Sequence, residues 1–397
     1  MKIIILILSS FLLFSCSDVY QPAVVSARKE ATQIGLEIMK NGGNAYDAMI
    51  ATHLALAVVH PTAGNIGGGG FFVYHHKDGS SGSLDFREMA PEKAFKDMYL
   101  DINGDVIPDM STLGGAAVGV PGSISAIYKI HSKFGSLPIE DLFEPAINLA
   151  KNGFVVTQKQ SNSLTGKLEE FIKVNGEKSL YSKRYYEGDT IKNIKFAETL
   201  SKISKVGPEI FYGGEIGEMI VNSVNKAGGI MTLNDLENYK SIWRDPVKFK
   251  YKNLDIISMS LPSSGGILIG QMLKVIEDYN IKSFGHNSVK VIQLLVEAER
   301  RAYADRSHFM GDPDYMNLPV YELMDKEYVV DRMKNFSWDK ATSSLDVKHG
   351  NIILNESDET THYSIIDKHG NSVSVTTTLN NSYGSKVFVE EGGFFLN

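Results

Sequence analysis

The sequence predicts an α/β protein in which at least one helix lies buried between layers. Three stretches carry that prediction. "NAYDAMIATHLALAVVHP" (44–61) is apolar almost all round, which suits a helix covered on every side. "GNIGGGGFFVYHH" (64–76) passes from a glycine turn straight into a strand pattern, and "GSLDFREMAP" (82–91) reads as its partner. The last 38 residues read as a hairpin, "THYSIID" and "SVSVTTTLN" joined by the turn sequence "KHGN".

The elements follow in order. "MKIIILILSSFLLFSC" has one lysine and then an apolar run of about a dozen residues, too short to span a bilayer. It reads as an export signal. The sole cysteine, Cys16, falls directly after the run. A lipoprotein signal, cut before Cys16 and lipidated there, accounts for that position; a signal peptide with an incidental cysteine is the alternative. Residues 1–16 are therefore read as the signal segment and 17–27 as a tether. The expected location is outside the inner membrane, periplasmic and held to a membrane only through the lipid anchor. With one cysteine, no intrachain disulfide forms.

"RKEATQIGLEIMKNGG" (28–43) is a helix with Asn41-Gly42-Gly43 as its C-cap. Asn44 caps the next, apolar helix, and Pro61 marks its end. Residues from about 120 to 245 read as mostly helical. "VKFKYKNLDIISM" (247–259) alternates like a strand, and "PSSGG" (262–266) leads into a helix. A further helix covers "VKVIQLLVEAERRAYADRSHF" and ends near Gly311-Asp312-Pro313. The charged stretch from about 325 to 359 has little apolar periodicity and reads as an exposed connector.

Composition narrows the function. The 397 residues are 43% hydrophobic and 22% charged, with a net charge of −7. Lys and Arg are dispersed, which argues against a nucleic-acid surface. There is no GxSxG elbow and no HExxH zinc pair. "DINGD" (101–105) lacks the glycine of a calcium loop and reads as a turn. Gly67–Gly70 precede no Lys-Ser/Thr and so form no phosphate loop. No metal or cofactor is expected, and His60, His75 and His76 are given no catalytic role.

The chemistry rests on "ESDETTHYSII" (Glu356–Ile366), where an acidic stretch meets two threonines at a strand start. A threonine hydroxyl needs a base. If the bond before it is cut, the freed α-amino group, with a pKa of about 7.7–8.0, supplies one. Strand propensity alone also accounts for Thr-Thr here. In the second strand Val373, Val375, Thr377 and Leu379 share one face; Ser372, Ser374, Thr376, Thr378 and Asn380 share the other. Pairing brings Thr378 near Thr360 or Thr361, the register being open by one residue.

"TTHYSIIDKHGNSVSVTTTLNNSYG" resembles the region around the processing site of γ-glutamyltransferases (γ-glutamyl transpeptidases). So do "NGGNAYDAMIATHLALAVVHPTAGNIGGGGF", "DFREMAPEKA", "LPSSGGI" and "EAERRAYADRSHFMGDPD", in the family's order, from about residue 23 to 397. The resemblance implies an N-terminal-nucleophile hydrolase, an α/β four-layer αββα sandwich, here incomplete at the C-terminus. It implies that Thr360 attacks its own bond from Glu359, splitting a large subunit (28–359) from a small one that starts at 360–397. Both would form one structural domain. Thr360 then takes the γ-glutamyl group from glutathione as an acyl-enzyme, which water or an amino acid or peptide acceptor releases. Thr378 matches a threonine that hydrogen-bonds the nucleophile, Arg87 the arginine that binds the α-carboxylate, and Asn380 the asparagine at the α-amino group. An ion pair of Arg87 with Asp85 or Glu88, and a turn role for Asn380, are the plain structural alternatives. Gly67–Gly70 and Ser263–Gly266 match family motifs and are read as architecture.

In the family the chain runs on past "GGFFLN" into a longer small subunit. That part carries an acidic residue, paired serines and the glycine pair of the oxyanion hole, and no positions here match them. The 397-residue chain alone is expected to show little cleavage and no transferase activity. A non-catalytic lipoprotein relic and a related acylase are the alternative readings.

Overall fold

The computed structural model describes residues 20–316, 318–348 and 361–397. Its centre is a six-stranded antiparallel sheet. In spatial order the strands are Ala23–Val25, Thr361–Ile366, Ser372–Thr378, Gly69–His75, Ser81–Asp85 and Ile242–Arg244. The C-terminal hairpin thus sits in mid-sheet, next to a strand from the first quarter of the chain. Among the described residues the other three sheets are two-stranded. Alternation sorts the hairpin as the sequence suggests: Val373, Val375, Thr377 and Leu379 are buried on one face.

That face packs against the helix Ala45–Val59, all fifteen residues of which are buried. A helix apolar on every side must have neighbours on every side, and this one has the sheet below and the helix Lys29–Lys40 crossing it. Asn44 caps it through a capping box with Asp47. The Asp367 carboxylate accepts from the Ala45 N–H at 3.0 Å, tying the hairpin turn to the same helix end. The glycine run earns its composition through close contact. A Cβ on Gly68 would stand 2.3 Å from the Thr378 carbonyl oxygen, and one on Gly70 2.1 Å from that of Thr376.

A smaller body, built from residues 247–336, has two apolar clusters of its own beside the main core. It holds the hairpin Val247–Tyr251 and Leu254–Ser258 and the helices Gly265–Ile276 and Val289–Phe309.

Three expectations change. The single strand read at 247–259 is a hairpin; Lys252 takes a left-handed φ of 53° at its turn, and the pairs Phe249–Ile256 and Tyr251–Leu254 move the apolar positions from odd to even numbers across it. The tether read at 17–27 contains the edge strand Ala23–Val25, where buried Val24 pairs with Ile365. Three residues are too few to show a period. The connector read at 325–359 begins with the helix Lys326–Asp331, capped by Asp325 and anchored by buried Val329. "DINGD" is a turn: the Asp101 carboxylate accepts from the N–H groups of Asn103 and Asp105. Cys16, Glu359 and Thr360 lie outside the described residues.

Candidate active site

An open cleft of about 1050 Å³ lies between the free face of the sheet and the smaller body. Thr378, Asn380 and Arg87 all line it. The register settles the neighbourhood of Thr378. Thr377 pairs with Thr361, so Thr378 is the next residue along, at the end where Thr361 begins the partner strand. Thr378 is buried, and its hydroxyl accepts from the Asn380 N–H at 2.8 Å.

Asn380 takes a left-handed φ of 71°, a conformation asparagine tolerates better than most residues. The bend turns its side chain toward Arg87, whose Nη2 donates to Asn380 Oδ1 at 2.8 Å. The turn conformation weighed for Asn380 is thus present, and it is what carries the amide to Arg87. Arg87 is also held from behind. Its N–H donates to Asp85 Oδ1 at 3.0 Å, and its carbonyl accepts from the Tyr239 hydroxyl at 2.8 Å. The guanidinium carbon lies 5.8 Å from the Phe71 ring centroid, a stacking that suits arginine. The side chain remains 36% exposed, with room for a carboxylate in front.

The ion pair weighed for Arg87 exists with Glu88, at 3.4 Å, while the Asp85 carboxylate pairs with Arg244. Glu88 is the more unusual group. Its side chain is 5% exposed, and among the described residues neither oxygen finds a hydrogen bond of normal geometry. Burial pushes its carboxyl up, and the nearby Arg87 only partly opposes this.

His362 stands on the cleft face of its strand. Its ring nitrogens meet Thr376 Oγ1 at 2.9 Å and the hydroxyls of Ser364 and Ser374 at 3.1 Å each. Burial lowers its pKa. Sequence reasoning passed over it, although two-residue alternation from Thr360 would have placed it on this face. Ser263, Ser264, Gly265 and Gly266 line the opposite wall. Gly266 does carry an architectural need, since a Cβ there would stand 2.5 Å from the Met259 carbonyl oxygen. The Ser264 hydroxyl accepts from Arg306 Nε at 2.8 Å.

Beneath the site runs a polar network that no local pattern announces. Asn65 Nδ2 donates to Thr377 Oγ1 at 3.0 Å and to the Thr378 carbonyl at 2.9 Å. Asn65 Oδ1 accepts from the Gly68 N–H and the Ser123 hydroxyl. His53 follows behind, hydrogen-bonded to the Asn65 carbonyl and the Tyr363 hydroxyl; full burial pulls its pKa down to about 4, so it is neutral at physiological pH. Among the described residues no cluster of three His, Cys, Asp or Glu side chains could hold a metal.

Comparison with known proteins gives the chain's family. A family profile described as gamma-glutamyltranspeptidase matches residues 31–397. The glutathione hydrolase proenzyme of Escherichia coli (strain K12) is 39% identical over 390 residues, which cover 96% of this chain and 67% of that protein. The crystal structure of Helicobacter pylori gamma-glutamyltranspeptidase superposes with a TM-score of 0.81 at 41% identity, covering 85% of this chain and 98% of that one. A cephalosporin acylase from Bacillus halodurans shares the fold, with a TM-score of 0.80 at 23% identity over 99% of this chain and 72% of that one. The chain spans about two thirds of the length of the curated relatives it matches. On the profile, the identities and the shared architecture, the chain belongs to the γ-glutamyltranspeptidase family.

Proposed function

We propose that this chain is the precursor of a γ-glutamyltransferase and glutathione hydrolase that cuts itself between Glu359 and Thr360. The observation that carries the reading is the convergence of Arg87, Asn380 and Thr378. Arg87 reaches Asn380, Asn380 reaches the Thr378 hydroxyl, and Thr378 stands at the end of the ladder where Thr361 begins the partner strand. In this reading Arg87 grips the donor's α-carboxylate in two-pronged fashion, and Asn380 contacts its α-amino group. Thr360 Oγ attacks the γ-carbonyl carbon. Its own α-amino group takes the hydroxyl proton and passes it to the departing amine. Water or an acceptor amine then breaks the new ester, and the hydroxyl regains its proton. Thr378 holds the attacking oxygen in line.

The finer fold belongs to the same proposal. A four-layer sandwich needs a second sheet over the free face, and an apolar hollow between Ala23, Val25, Val73 and Ile366 of that face and Ile257 of the smaller body supports one. So do export, a large and a small subunit from one precursor, and lipid attachment at Cys16. Among the described residues no helix is long and apolar enough to cross a membrane.

The test combines fragment mapping and turnover. In the protein expressed from its native gene, intact mass should place a new N-terminus at Thr360, and the processed protein should release p-nitroaniline from a γ-glutamyl anilide. Thr360→Ala should abolish both. A split elsewhere, or one that survives Thr360→Ala, sinks the reading. A glutaryl amide run alongside separates the related acylase, which would prefer it. Fatty-acid labelling that persists after Cys16→Ser would refute the anchor.

A further inference from the structure

The segment "GDPD" (311–314) follows the long helix Val289–Phe309, and nothing above gives it a role. Asp312 Oδ1 accepts from the Asp314 N–H at 3.0 Å across Pro313, which fixes the turn. The turn points the Asp314 carboxylate at the edge of the main sheet. There Arg244 Nη1 donates to Asp314 Oδ1 at 2.9 Å, and Nη2 to Oδ2 at 2.7 Å. This two-pronged pairing is the strong form of the interaction. The third arm of the same guanidinium, Nε, donates to Asp85 Oδ2 at 2.8 Å. The other oxygen of Asp85 accepts the main-chain N–H of Arg87.

The four residues form one chain of charge-assisted hydrogen bonds. It starts on a loop of the smaller body, crosses the cleft wall, and ends on the backbone of the residue proposed to bind substrate. All four line the cleft. Arg244 and Asp85 are mostly buried, with side chains 14% and 9% exposed, so their link is screened little; Asp314 at 45% is the open end. The pairing also leaves its mark on titration: hydrogen bonds from Arg244 hold the Asp314 carboxyl below its ordinary value.

We infer that Asp314 is a positioning residue, which acts through Arg244 and Asp85 to hold the main chain of Arg87 so that its guanidinium is aimed at the donor's α-carboxylate. The inference rests on the γ-glutamyl reading of the cleft and deepens it. It separates the two ends of Arg87. Asn380 fixes the guanidinium directly, while the relay fixes the peptide from which the side chain springs. Loosening the relay costs affinity for the α-carboxylate and leaves the reacting hydroxyl untouched.

The experiment is a mutant cycle read by binding of L-glutamate, the half common to all γ-glutamyl donors, with anilide turnover in parallel. In the parent, Asp314→Ala and Asp314→Asn should each weaken glutamate by about fivefold, the size fitting a half-exposed two-pronged pair. KM for the anilide should rise in step while kcat stays within about twofold. Asp314→Glu should recover part of the loss. In an Arg87→Ala background, where no guanidinium remains to be aimed, Asp314→Ala should change glutamate affinity by less than about 1.5-fold. Equal losses in both backgrounds overturn the relay and leave Asp314 a mere tether. Unchanged affinity in the parent background overturns it as well. If the parent binds glutamate without turnover, the enzymatic reading fails while the relay is still decided. If the parent binds no glutamate, both fall.

Discussion

The two walls of the cleft are built by opposite means. The sheet wall stands on one continuous apolar core that reaches from Val24 to Leu396 and includes the fully buried helix Ala45–Val59. The wall formed by residues 247–336 has two small apolar clusters, and its long helix buries Glu297, Arg301, Asp305 and Arg306. Two glutamates show the contrast. Glu88, on the sheet side, is buried with no hydrogen bond of normal geometry among the described residues, and burial drives its pKa up. Glu297, on the other side, is also pushed up by burial, but hydrogen bonds from Arg301 and Thr342 outweigh this and leave it below the ordinary value. An apolar core positions groups by volume and responds little to pH or salt. A charged network positions them by pairing, so one lost partner can loosen it. The face that carries Arg87, Thr378 and Asn380 thus sits on the rigid side, and the adjustable side faces it.

Breaking each wall at its strongest point should show the largest difference. Phe72→Ala, in the middle of the sheet core, should cost about 3–5 kcal/mol of unfolding free energy by denaturant titration. A loss near zero would mean the core is not continuous there. Arg301→Met should cost about 3 kcal/mol, because it takes from the buried Glu297 carboxylate its most buried cationic partner and leaves it Arg300 and the Thr342 N–H. Replacing both Glu297 and Arg301 by apolar residues should return much of that loss, whereas no double substitution in the sheet core is expected to do so.

Arg87→Lys sharpens the comparison at the site itself. Lysine keeps the charge and loses the fork that meets both Asn380 and a carboxylate. KM for a γ-glutamyl donor should rise by one to two decades, about 1.5–3 kcal/mol, with fragment formation intact. Unchanged kinetics would leave Arg87 as the partner of Glu88 and Asn380 only.

The subtlest effect is one of sign. A carboxyl with a raised folded pKa contributes stability below its unfolded value, near 4.5, and loses it as pH rises through the folded value. Glu88→Gln should therefore gain stability over the parent at neutral pH, the difference closing below about pH 4.5. Glu297 has a lowered pKa, so its contribution is present above that value and lost as pH falls through the folded one. Glu297→Gln should therefore lose stability at neutral pH and converge with the parent in acid. Curves of melting temperature against pH for the two variants should bend in opposite directions; parallel curves would erase the distinction.

Much of this was legible in the chain. The helix 45–59, its Asn44 cap, the glycine run and the alternation of the C-terminal hairpin are local patterns, and the structure realises each of them. The 247–259 hairpin was misread because its two-residue turn, Lys252-Asn253, carries neither glycine nor proline to mark it, and each strand is only five residues long. The edge strand 23–25 and the helix 326–331 were passed over because each is shorter than the window in which a period becomes visible.

What the sequence alone determined is therefore the set of elements, the faces of its strands and the family resemblance, since capping, alternation and motif order are properties of neighbouring residues. The tertiary structure decided the rest. It set Thr377 opposite Thr361, a register that the alternation within either strand by itself leaves open. It joined Arg87 to Asn380 across 293 residues, threaded Asn65 beneath Thr378, and brought Asp314 to Arg244. The physical reason is that a hydrogen bond between distant residues depends on where packing sets two backbones, to within a few tenths of an ångström. Only the summed contacts of the whole core specify that position.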